Sequence, residues 1–134
     1  MSDGGPAYKI VDLVAACAAA FSTGIGVDVF APAVRNAREY FGLRGKVAIF
    51  DFIATGGLED YRYKDTRPLE LEGGNKGRPV DAYYFYSGPT LHGYLAFFKA
   101  ISGIWIIKSF KENKEGDQRN LALYDEIRKL TDGK

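Results

Sequence analysis

Few side chains in this chain of 134 residues can do acid–base, nucleophilic or metal chemistry. It holds one histidine, His92, and one cysteine, Cys17. A single imidazole rules out multi-histidine metal centres and leaves one candidate for any imidazole-based triad. His92 sits between Leu91 and Gly93 beside a turn, with no serine or cysteine motif around it. Cys17 falls inside an apolar helical stripe, where a thiol is inert. Glu70 and Glu72 lie two apart on an expected strand near Lys64 and Lys76, a faint likeness to nucleases that hold metal with paired carboxylates. Charges that flank a Gly-rich loop are ordinarily just solvated. The loop itself, Gly73-Gly74-Asn75-Lys76-Gly77, lacks the spacing that cradles phosphates and reads as a turn.

The richer pattern is basic residues interleaved with tyrosines. Tyr61, Arg62, Tyr63, Lys64 and Arg67 come first, followed by Tyr83, Tyr84, Tyr86, Tyr94 and Lys111. Aromatic rings stack on unpaired bases while Lys and Arg neutralise phosphates. Half-buried tyrosines are also what β-structure favours, so composition alone leaves both readings open.

Nothing global advertises a polyanionic partner, because Lys+Arg 18 against Asp+Glu 17 gives a net charge of +1. The charge is nevertheless segregated. Residues 1–60 carry five basic and seven acidic side chains, whereas 61–114 carry nine and five. A 46% hydrophobic and 14% aromatic composition suits one folded domain over 1–134 and excludes a disordered chain. One cysteine precludes an internal disulfide and points to a reducing, cytoplasmic setting. Val14-Ala15-Ala16-Cys17 has the look of a lipoprotein cleavage box. Asp3 precedes the first basic residue, however, and Asp12 interrupts the apolar run, so the segment reads as a buried helix. No stretch approaches the ~20 apolar residues of a membrane span.

Several elements are in place to position these side chains. Ile10, Leu13, Val14, Cys17 and Phe21 recur at helical spacing, with Ser22-Thr23-Gly24 as the stop. A second helix starts near Ala31, with Pro32 in its first turn and Gly42 past its end. Residues 46–55 are ambiguous, and their Val, Ile and Phe prefer strand. From Val80 onward the chain turns to sheet. Leu91–Lys99 and Ile104–Lys111 form an antiparallel hairpin in which period two sets Trp105, Ile107, Ser109 and Lys111 against Ile104, Ile106, Lys108 and Phe110. An amphipathic helix over 118–130 closes the chain. Helices, then sheet, then helix make an α+β fold with N-terminal helices on a small antiparallel sheet.

Short motifs in this order resemble the MqsR-type mRNA interferase toxins of the RelE-like superfamily. Asn36-Ala37-Arg38-Glu39 with Gly42-Leu43 is similar to that family's second helix. Leu58, Asp60-Tyr61 and Tyr63-Lys64 resemble its Leu…Asp-Phe-Tyr-Lys motif, and Asp81-Ala82-Tyr83 its Asp-Val-Tyr. Gly93-Tyr94-Leu95 and Ile106-Ile107-Lys108-Ser109-Phe110-Lys111-Glu112 resemble its closing strands. Val80 stands where the family has a glutamine. The resemblance makes residues 46–55 a helix, and we adopt that reading.

What the resemblance implies is a toxin of a type II toxin–antitoxin pair, an endoribonuclease that uses the substrate's 2′-hydroxyl and neither metal nor cofactor. It places catalytic roles on Lys64, Tyr94 and Lys111, with Arg62, Arg67 and Tyr83 as RNA-binding neighbours. Its partners would be RNA and a cognate antitoxin protein, not a membrane. The contrasting expectation is a non-catalytic α+β module whose aromatic sheet binds a protein or RNA.

Overall fold

A computed structural model describes residues 5–114. The expected helix at 118–130 lies outside them.

Helix α1, Ile10–Thr23, buries Leu13, Cys17 and Ala20 on one face. It ends where Gly24 turns left-handed at φ 76° and its N–H reaches the Ala20 carbonyl at 2.7 Å. Strand β1, Val27–Val29, follows. Helix α2, Ala31–Asn36, has Pro32 in its first turn and runs into one π-helical turn, Ala37–Phe41, which Gly42 terminates at φ 72°. Helix α3, Lys46–Ala54, buries Ile49, Phe50 and Ile53 and packs on α1. Tertiary burial thus overrides strand propensity in this segment, because residues three and four apart share one helical face.

Four long strands follow: β2 Asp60–Pro68, β3 Pro79–Ser87, β4 Leu91–Lys99 and β5 Trp105–Glu112. The sheet order is β1-β5-β4-β3-β2. All long-strand pairings are antiparallel, including the expected hairpin. β1 pairs parallel with β5, so the sheet is mixed rather than purely antiparallel. Glu70 and Glu72 are not on a strand. β2 stops at Pro68, and both are exposed in the loop, where Lys76 donates to Glu72 at 2.7 Å.

The helices cover one face of the sheet. Tyr83, Phe85, Leu95, Phe97, Ile107 and Phe110 meet Leu13, Cys17, Ile49 and Ile53 there in one core. Phe41, on the π-helical turn, lies 5.5 Å from the Phe85 ring and 5.1 Å from that of Phe110. Gly93 lies beneath these rings, where a Cβ would collide with Phe85 and come within 2.8 Å of Phe41. On the opposite face Val80, Ala82, Ala96 and Phe98 form a smaller cluster.

Two β-bulges interrupt the alternation. Between Tyr63 and Asp65 the register against β3 slips, leaving Lys64 unpaired. On β5, Ile107 pairs with Phe97 and Ser109 with Ala96, so Lys108 is unpaired. The expected period-two assignment along β5 is therefore corrected. Trp105, Ile107 and Phe110 face the helices, while Ile106, Ser109 and Lys111 fall on the opposite face. One extra residue inverts the faces of everything after it.

A buried carboxylate ties the N-terminal segment to this sheet. Asp81, 0% exposed, accepts hydrogen bonds from the Ala7 N–H at 2.9 Å, the Tyr8 N–H at 2.8 Å and the Thr66 hydroxyl at 2.6 Å.

Candidate functional site

The face away from the helices carries the site. Strand register lines up one row of side chains across it: Arg62 opposite Tyr84, Tyr84 opposite Tyr94, and Tyr94 opposite Lys111. The next row is Asp65, Ala82, Ala96 and Ser109. Around the first row lies an open cavity of about 290 Å³, lined by Lys64, Tyr84, Tyr94, Lys108, Lys111 and Glu112 among others. The three residues to which the resemblance gives catalytic roles thus share one cavity wall, although they come from three different strands.

Among the described residues four lysines line the cavity (Lys64, Lys108, Lys111, Lys114), and its one carboxylate, Glu112, stands opposite Gly93 in the helix-facing phase of β5. Same-sign charge in a concave site concentrates the field on a polyanion. Lys111 Nζ lies 5.4 Å from the centre of the Tyr94 ring, a cation–π approach that fixes the ammonium beside the phenol. Tyr84 meets the same ring at 6.3 Å. Lys64 donates to Asp65 Oδ2 at 3.1 Å in a half-buried pair, and Arg67 Nε donates to the same oxygen at 3.0 Å. Burial pushes the Tyr94 phenol above its ordinary range and Asp65 adds to the rise, with Lys64 and Arg67 pulling the other way. A phenol so held stays protonated at neutral pH, so it can give a proton in a reaction but cannot take one.

The remaining expected site residues are distributed differently. Arg67 lines an adjoining cavity on the same face. Arg62 is exposed and bonds to Asp60 at 3.3 Å, in the row but outside the cavity wall. Tyr83 is corrected outright. It is 4% exposed on the helix-covered face, stacked 6.0 Å from Phe97, and cannot meet a ligand in the groove. Its phenol is pushed up to about 12, first by burial and then by the Asp81 charge and its neighbouring tyrosines. Tyr84, one residue on, takes the outward position. His92 lines neither cavity.

Sequence reasoning passed over Lys108, which borders both cavities. A signal for it was there. Ile107 and Phe110 are large, apolar and three apart, and a strand can bury both on one face only if it bulges between them.

Cys17, inside α1, has its thiol pushed up to about 12 by burial and has no part in this site. Among the described residues no group of three or more His, Cys, Asp or Glu side chains could hold a metal ion, and no helix is long and apolar enough to cross a membrane. Compared with family models, curated proteins and solved structures, the chain finds no match in any of the three.

Proposed function

We propose that the chain is an endoribonuclease that works without metal, the toxin half of a toxin–antitoxin pair. The observation that carries this reading is the convergence of Lys64, Tyr94 and Lys111, from three strands, on one cavity. The MqsR-type motifs supply the same three residues, and the interleaved tyrosines suit single-stranded RNA.

In the proposed reaction a ribose 2′-oxygen attacks the adjacent phosphorus. The 2′-O–P bond forms and the P–O5′ bond breaks, leaving a 2′,3′-cyclic phosphate and a 5′-hydroxyl. A proton must leave the 2′-oxygen, and another must reach the departing 5′-oxygen. The protonated Tyr94 phenol is the donor, and water in the open cavity takes the proton from the 2′-oxygen. Lys111 and Lys64 stabilise the charge that builds on the phosphate oxygens. Asp65, holding Lys64, positions its ammonium. An acidic or mixed antitoxin would cover the basic 61–114 surface, and opposite charge would speed that encounter.

The test is cleavage of single-stranded RNA by the purified chain with EDTA present. Products should carry cyclic phosphate and 5′-hydroxyl ends. Removing one placed charge donor should cut the rate about a hundredfold or more, so Lys111→Ala should do so with circular dichroism unchanged. Expression of the chain alone should arrest bacterial growth. Cleavage abolished by the chelator would overturn the mechanism. RNA that binds but is never cut would leave a non-catalytic RNA-binding module.

A further inference from the structure

Next to the lysine-lined cavity lies a second of about 310 Å³ that shares Tyr94 and Lys108 with it. Its floor is apolar and made of small side chains. Ala82 and Ala96 pair directly across β3 and β4, and Val80 continues the surface. On one side stands the row of Tyr84 and Tyr94, so two methyl groups leave a notch beside an aromatic ring. At its rim are Arg67, Lys108 and Asp65. Both hydrogen bonds to Asp65 fall on Oδ2, and Oδ1 has no donor among the described residues.

We propose that this notch is a nucleobase subsite, taking one unpaired base that carries an exocyclic amino group. The inference rests on the RNA-cleaving reading and adds to it the base next to the scissile phosphate. A flat, apolar base face covers the Ala82–Ala96 floor and packs against the Tyr94 ring. Lys108, between the two cavities, holds the phosphate that joins them. The free Asp65 oxygen accepts from the amino group of adenine, cytosine or guanine. Uracil has no such group; its one donor on that edge, N3–H, lies between two carbonyl oxygens that the carboxylate repels. A paired base cannot lie flat on the floor, so the substrate is single-stranded.

The experiment measures binding of short adenine, cytosine and uracil homopolymer RNAs to the full chain by fluorescence anisotropy at fixed salt. Adenine and cytosine strands should bind about tenfold more tightly than uracil, the size of one base-edge contact. Ala96→Leu fills the notch without altering a charge and should bring the three affinities toward one another. Asp65→Asn should also narrow the preference, and it decides the matter if the leucine variant does not fold. Equal wild-type affinities, or a preference untouched by a folded variant, would overturn the subsite and leave the ribonuclease reading standing. Failure of every RNA to bind would overturn both.

Discussion

Asp81 offers the most exacting test of how the site-bearing sheet is held. Its two carboxylate oxygens have separate duties: Oδ1 accepts from the Ala7 N–H and the Thr66 hydroxyl, and Oδ2 from the Tyr8 N–H. Asparagine keeps the shape but has only one acceptor oxygen. Placed at Oδ1, it turns its amide donors onto the Tyr8 N–H; placed at Oδ2, it turns them onto the Ala7 N–H, while the Thr66 hydroxyl can turn to accept. The better choice still forfeits one charge-assisted bond and sets donor against donor in a buried place, a cost of about 2–3 kcal/mol. Alanine strands two backbone N–H groups and should cost about 3–4 kcal/mol. The loss is capped by undocking of the N-terminal segment. That in turn gives up the Tyr8 ring contacts with Trp105 at 5.5 Å and Phe97 at 6.1 Å. For a chain of this size Asp81→Asn should lower the melting temperature by about 8–12 °C. Urea and thermal unfolding measure both variants. A change in stability under about 1 kcal/mol for Asp81→Ala would show that the buried carboxylate does not clamp this segment.

Three further outcomes follow from the packing and the charges. Gly93→Ala drives a methyl into the Phe85 and Phe41 rings and should lower the urea midpoint, a loss of about 2 kcal/mol or more; an unchanged midpoint refutes the close approach. Cys17, fully buried with its thiol pushed up to about 12, should resist a thiol reagent in the native chain and react at the rate of unfolding. For Asp65, burial alone would raise the carboxyl, but hydrogen bonds and charge from Lys64 and Arg67 outweigh it and hold it below the usual range. Asp28 is lowered by Lys46 and the Val29 N–H. Lowered carboxyls stabilise the fold above the unfolded value and lose that contribution as pH falls through the folded one. Melting temperature should therefore fall below about pH 4, and Asp65→Asn should flatten that limb.

The helices were legible because their ends carry residues with a fixed conformational meaning. Gly24 and Gly42 sit in left-handed caps, and Pro32 occupies a first turn where no N–H is needed. The 91–111 hairpin was legible from two apolar runs flanking a short turn. β1 was not, since three residues cannot display a period, and its partner β5 lies far along the chain. The tyrosines of β3 were harder still. Tyr83, Tyr84, Phe85 and Tyr86 are aromatic at every position, and both faces of the strand are covered to some degree. Such a run does not say which residue faces the helices, so the expectation of Tyr83 as an RNA-binding residue fails and Tyr84 faces the groove instead.

The error in β5 and the location of the site have the same physical origin. A sheet covered by helices on one face must keep its alternation to bury Ile107 and Phe110 together, and here it does so by skipping Lys108. Lys108, next after inward-facing Ile107, faces the groove with or without the bulge, and what the bulge changes is the phase of the residues that follow. Lys64 stands at the equivalent irregularity on β2. The slip also carries Lys111 from the core-facing phase to the position opposite Tyr94, and the cation–π approach depends on it. Lys111 thus owes its aim to the β5 bulge, and Asp65, which holds Lys64, owes its place in the groove-facing row to the β2 bulge. Deleting Lys108 removes the extra residue itself, so Ser109, Phe110 and Lys111 keep their partners and faces; thermal unfolding should show little loss of stability while the cavity loses one cation. Straightening β5 with Lys108 retained would instead turn Phe110 outward and Lys111 inward, so burial of Phe110 and the aim of Lys111 hang on the same extra residue.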